Sequence, residues 1–267
     1  MRPIHYLRCF IGVSLREWLR FLNQRGRFFS ALVRPLVWLA IFATGFQFVL
    51  GVSIIPPYET YIPYSIYIAP GLLAMILMFN GMLSSLSMVY DREMGSMRIL
   101  MVSPLPRWFL LTAKLLAGCV LSVIQAYAFL VIALLWDIAP PWYGYITVLP
   151  ALVLSALMMG ALGLLLSSAI RQLENFASVM NFVIFPMFFA SSALYPLWHV
   201  KEASLLLYYV CQANPFTHAV ELIRFALYAQ LEPVSAVVLV AATAIFLTLA
   251  VYGYDPAKGL MQRRTAD

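Results

Sequence analysis

From about residue 31 onward the chain is a succession of long apolar runs separated by short polar interruptions. A helix needs roughly 20 predominantly apolar residues to cross the hydrocarbon core of a bilayer. Six runs meet that length, at about 31–51, 65–88, 109–136, 145–169, 176–197 and 235–253. Residues 5–25 follow a different pattern. Leu7, Ile11, Leu15, Trp18 and Leu22 recur at helical spacing while Arg8, Arg16 and Arg20 gather opposite them. Such a helix lies in the plane of the interface, its apolar face in lipid and its arginines toward headgroups and water. Near the other end, "ANPFTHAVELIRFAL" offers Asn214 as N-cap and Pro215 as first helical residue. Glu221 and Arg224 then share one face three residues apart. This segment predicts a short amphipathic, re-entrant helix before the sixth span.

Composition supports the membrane reading. Only 10% of the 267 residues are charged and 63% are hydrophobic, with a mean hydropathy of +0.89, whereas a soluble domain carries about 25% charged residues. Charge placement orients the spans. Fifteen of the seventeen Lys and Arg fall in the first 34 residues, in 89–114, at Arg171 or in the tail after the sixth run. The positive-inside rule then puts both termini and the 89–114 segment in the cytoplasm. Basic residues at that face also favour anionic lipid as a neighbour. No internal repeat or long linker divides the chain, so residues 1–267 form one transmembrane domain.

The interruption between the second and third runs is "DREMGSMRILMVSPLPRW", residues 91–108, dense in charge and proline. Asp91 suits an N-cap and Glu93 the positive end of a short helix. Ser103-Pro104 stops it, because the residue before proline avoids the α region. Within it Tyr90, Met94, Met97, Arg98 and Met101 share a face, with Arg92, Ser96 and Ser103 opposite. A stripe of flexible methionines edged by arginine is adaptable docking surface. Asp91, Arg92, Glu93, Met94, Met97, Arg98 and Met101 are the candidate docking residues.

Candidate chemistry is sparse. His5, His199 and His218 are scattered, and the runs hold no paired carboxylates. Cys9, Cys119 and Cys211 have neither disulfide-framework nor zinc spacing. No GxxxxGK[ST] phosphate loop is present, and no metal site is expected. An ion-coupled transporter carries an ionisable residue at mid-membrane; none is read in these runs. Neutral polar and aromatic residues remain, among them Phe79, Asn80, Gln125, Asn181 and Phe185. Buried amides of this kind either glue helices together or bind a ligand. Ala156, Gly160, Gly163 and Ser167 form a small-residue strip suited to close helix packing.

Four segments resemble the ABC-2-type permeases, the membrane subunits of ATP-binding-cassette exporters. They are "YIAPGLLAM" (67–75), "DREMGSMRILMVSPLPRWFLLTAKLLAG" (91–118), "MNFVIFPMFFASSALYPL" (180–197) and "NPFTHAVELIR" (214–224). Ser191-Ser192 stands where relatives often read Ser-Gly. The resemblance implies an all-α, six-span integral membrane protein of the bacterial inner membrane. It would form a homodimer, or a heterodimer with a similar permease, above two copies of a separate cytoplasmic ATPase that binds Mg-ATP. Residues 91–103 would be the coupling helix in a cleft of that ATPase. Spans two and five would line a substrate cavity with Phe79, Asn80, Asn181 and Phe185. The chain would be no enzyme by itself and would bind no nucleic acid. The uncharged aromatic lining suits an amphiphilic, lipid-like or drug-like cargo. The alternative is a membrane scaffold or assembly subunit that docks a cytoplasmic partner without transporting.

Overall fold

The computed structural model describes residues 3–23, 25–45, 56–58, 62–94, 106–170 and 172–254, and among them the regular structure is helical. The helices are α1 (Pro3–Asn23), α2 (Arg25–Gly45), α3 (Tyr64–Glu93), α4 (Arg107–Ala133, extended by a 3₁₀ turn, Leu134–Trp136) and α5 (Gly144–Ala169). They continue as α6 (Leu173–Phe189), α7 (Leu197–Ala203), α8 (Leu205–Ala213), α9 (Pro215–Ala226) and α10 (Pro233–Gly253). Among the described residues, four stretches are long and apolar enough to cross a membrane: Tyr64–Glu93, Arg107–Trp136, Gly144–Ala169 and Pro233–Gly253. Two shorter apolar stretches, Leu32–Ile41 and Leu173–Phe189, fall in α2 and α6.

Helix α3 is the axis of the bundle and packs against α2, α4, α5, α6 and α9. Without water to drive apolar surfaces together inside lipid, helix association relies on close van der Waals contact, which small residues permit. The α3–α5 seam is built that way. A Cβ on Gly81 would come within 2.8 Å of the Gly160 nitrogen, and one on Gly163 within 2.8 Å of the Gly81 carbonyl oxygen. No side chain fits at either position without moving backbone.

Several segments differ from the sequence expectation. Where the fifth run predicts a span over 176–197, α6 stops at Phe189 and residues 190–196 form an elbow. Pro186 lies one turn before that end, and Pro196 precedes α7. Residues 197–226 hold three short helices rather than one. Ser204 caps α8 through its side chain, and Asn214 caps α9 by accepting the Phe216 N–H at 3.0 Å. The predicted start of a separate helix at Asp91 is not found. Asp91 and Glu93 occupy the last turn of α3, which runs through without a break for 30 residues.

Candidate functional site

Helix α1 lies across the basic end of the bundle. Ile4, Leu7, Ile11, Leu15, Leu19 and Leu22 form an exposed apolar stripe along it. Its other side packs inward, with Tyr6 edge-on to Phe109 at 5.0 Å between ring centroids. There the charged side chains of three helices, α1, α3 and α4, meet. Arg16 donates to Asp91 at 2.7 Å, Lys114 lies 3.6 Å from Glu17, and Lys114 donates to the Ser87 hydroxyl at 2.6 Å. Asp91, Glu17 and Lys114 are all buried, so these charges are paired rather than solvated, as burial requires. Arg92 donates to the Ile170 carbonyl at 3.1 Å and lies 5.2 Å from the Tyr254 ring. The Tyr254 hydroxyl in turn meets Ser167 at 2.7 Å. A half-open cavity of about 320 Å³ sits within this assembly, between α1, the ends of α3 and α10, and the start of α4.

The candidate docking residues therefore separate. Asp91 is turned inward onto Arg16, and Arg92 onto Ile170 and Tyr254, so both brace the bundle. Glu93 and Met94 are exposed, as is Tyr90. Met97, Arg98 and Met101 lie outside the described residues.

Mid-bundle, Asn80 donates to the Gln125 side chain, joining α3 to α4, and Gln125 is buried. Phe79 is buried as well, with the Arg34 guanidinium 3.9 Å from its ring centroid. Phe79 is fourteen residues from the basic end of α3, about 21 Å at 1.5 Å per residue. Arg34 is itself exposed on α2, so this cation lies at the surface of the bundle against α3 rather than enclosed within it. The polar signal was present in "LVRPLVW" (32–38), where Arg34 sits at the edge of the first run. Asn181 and Phe185 do not join Phe79 and Asn80 within the single chain. They lie on the exposed face of α6, with Phe182 beside them at 78% exposure.

At the opposite end, the elbow after α6 is held by side chains from α3 and α9. Tyr64 donates to the Leu194 carbonyl at 2.6 Å and Tyr67 to that of Ser192 at 3.0 Å. Arg224 donates to the same Ser192 carbonyl at 2.8 Å and to Glu221 at 2.6 Å, and its guanidinium lies 4.2 Å from the Tyr67 ring. Burial alone would lower the Arg224 pKa, but Glu221 together with Tyr67 and Tyr58 outweighs it and the net shift is upward. Asn214 donates to the Met187 and Ala190 carbonyls, both at 2.7 Å. Gly71 allows the elbow's approach, since a Cβ there would meet that of Ala193 at 2.7 Å. Ser192 needs no glycine in its place: among the described non-glycine residues only Asp137 and Ala229 have positive φ. The Glu221/Arg224 pairing was visible in the sequence; the tyrosine donors were not.

Among the described residues no cluster of His, Cys, Asp or Glu could hold a metal ion. Residues 9–228 match the ABC-2 type transporter family. The chain is 28% identical over 198 residues to a protein named as a transport permease, ycf38, in Cyanophora paradoxa, covering 73% of this chain and 66% of that one. It is 28% identical over 170 residues to a protein named as a multidrug ABC transporter permease, YbhR, in Escherichia coli K12, covering 62% and 45% respectively. In both cases the match spans less than two thirds of the relative.

Proposed function

The chain belongs to the ABC-2 type transporter family, and from that premise we propose that it is the transmembrane permease subunit of an ABC exporter. It crosses the bacterial inner membrane six times with both termini cytoplasmic, pairs with a second permease, and is driven by a separate cytoplasmic ATPase that binds Mg-ATP. Movement of the two permeases against each other exposes a cavity alternately to the two sides. The cargo is an amphiphile, lipid-like or drug-like. Arg34 over Phe79 favours an acidic group on it, because an exposed cation beside a proposed cavity residue can pair with one.

The observation that carries this reading is the way the basic end is tied together. Immediately before residues 95–105, α3 is bonded to α1 through Asp91, to the end of α5 through Arg92, and to α4 through Ser87. A load applied by an ATPase at the 91–103 segment passes directly into these helices. Met97→Asp places an unpaired charge in the proposed docking contact, an effective cost of several kcal/mol. The variant should reach the membrane but copurify poorly with the ATPase and fail to export. Ser96→Asp, on the opposite face of the predicted helix, should be far milder. Equal behaviour of the two would remove the docking role and favour a segment that only sets topology.

A further inference from the structure

Around the elbow between α6 and α7, four buried side-chain atoms have no hydrogen-bond partner within the chain: the Tyr58, Ser192 and Thr217 hydroxyls and the Arg224 Nε. Their residues are between 0% and 5% exposed, so bulk water does not serve them. A buried donor or acceptor left unmet carries its full desolvation cost, and native proteins hold only a few such groups per hundred residues. Four around one elbow point to a partner that is not protein.

Three of the four converge. Arg224 donates to the Ser192 carbonyl at 2.8 Å, which brings its guanidinium to the residue whose hydroxyl is unmet. Tyr58 packs edge-on to Tyr228 at 5.1 Å between ring centroids, and its hydroxyl lies beside the same guanidinium. Burial pushes the Tyr58 pKa up, and the Arg224 charge acts against that push. Thr217 stands on the same face of α9 as Glu221 and Arg224.

The chemistry of these groups selects the occupant. Arg224 Nε–H can only donate, whereas the hydroxyls can donate or accept. Glu221 already holds the Arg224 charge at 2.6 Å, so an anion finds no net charge to pair with. The groups call for a small neutral molecule that accepts from Nε and also bonds the hydroxyls. A buried water makes about three such bonds. Glu221 supplies the way in, because its side chain is 20% exposed while its carboxylate touches Arg224.

We propose that a buried water site lies beneath the elbow, shared by Tyr58, Ser192 and Arg224, reached from the surface along Glu221, with Thr217 as a further partner. One side of Ser192 is then held by protein, through Tyr67 and Arg224 on its carbonyl, and the other by exchangeable solvent. The site itself depends only on the buried polar atoms. Its consequence rests on the permease reading: an exchangeable partner lets the elbow lift without stranding the Ser192 hydroxyl.

The full chain in nanodiscs, without cargo, is irradiated with synchrotron X-rays in oxygen-labelled water, and ring hydroxylation is read by mass spectrometry. Radicals form from the water in place, so a buried ring beside bound water is modified where an equally buried dry ring is not. Tyr58 should be hydroxylated, and Phe129, 0% exposed in the apolar core, should not. Tyr58→Phe and Ser192→Ala should each lower the melting temperature. The double variant should lose less than the two losses added, because both groups bond the same water. Deleting a hydroxyl that truly lacks a partner would instead raise the melting temperature. A Tyr58 ring as inert as Phe129, a single variant that melts above the wild type, or strictly additive losses would each overturn the proposal. Stabilisation by chloride that Ser192→Ala lacks would make the occupant an anion and overturn it as well. Neither ATPase copurification nor export enters these readings, so the water site and the permease reading fail separately.

Discussion

Arg224 offers the sharpest test of what holds the elbow between α6 and α7. It is 2% exposed and bonds both Glu221 and the Ser192 carbonyl. Arg224→Met preserves much of the volume and removes the charge. Removing one partner of a buried pair costs about 3–5 kcal/mol because the other charge is left uncompensated. Two features place this site at the low end. The Glu221 side chain is 20% exposed and can recover some hydration, and the Ser192 carbonyl keeps the Tyr67 hydroxyl at 3.0 Å. A loss of about 3 kcal/mol corresponds to a melting temperature lower by about 6–12 °C for a chain of this size. Intrinsic fluorescence of the solubilised protein during heating reads that change. Tyr67→Phe deletes one neutral hydrogen bond and should cost only about 1 kcal/mol. The double variant Glu221→Leu/Arg224→Met should melt above Arg224→Met, because the stranded carboxylate is gone. An Arg224→Met protein that melts with the wild type, or a double variant no better than the single, would refute the electrostatic account of the elbow.

Three other expectations concern the bundle. Gly163→Val should sharply reduce folded yield in size-exclusion profiles, because its Cβ would lie 2.8 Å from backbone at Gly81 and 2.6 Å from the Ser85 hydroxyl; Gly26→Ala, with open space around it, should be silent. Asn80→Leu strands the buried Gln125 amide and should lower stability by about 1–3 kcal/mol, so a loss of transport with an unchanged melting temperature would reassign Asn80 from helix contact to cargo. Arg34→Gln should abolish export of an acidic amphiphile while Arg34→Lys retains part of it, and equal export by both in vesicle uptake assays would remove the cation from cargo recognition.

The helical character and the long spans were legible because lipid imposes a severe rule: an apolar run of sufficient length has few alternatives to a helix. The small-residue strip at Gly160 and Gly163 was legible for a related reason, since in lipid close approach is itself the packing device. The elbow was not. "MNFVIFPMFFASSALYPL" is apolar throughout, so hydropathy reads one span to 197, whereas the helix ends at Phe189. Its end is set by tertiary donors from Tyr64, Tyr67, Asn214 and Arg224, distant in sequence. Asp91 was misread for a different reason. Local capping logic takes an acidic residue before a glycine-bearing stretch as a helix start, but the ion pair with Arg16, 75 residues away, places it at the end of α3. Local signals place helices; long-range polar contacts decide where they stop.

Those long-range contacts converge on α3. Its first turns hold the elbow through Tyr64 and Tyr67, and its middle is locked to α5 at Gly81 and to α4 at Asn80. Its last turns bond α1, α4 and the end of α5 through Asp91, Ser87 and Arg92. A displacement applied where α3 leaves the basic end therefore cannot be absorbed locally. The Gly81–Gly163 approach leaves no room for sliding at the centre, so under such a load the helix would move with α5 rather than past it. The elbow, bonded to the far end of the same helix, must follow or break hydrogen bonds to Tyr64 and Tyr67. On the proposed permease reading, a load applied at one membrane surface would reach the other through α3, as a transport subunit driven by a separate ATPase requires.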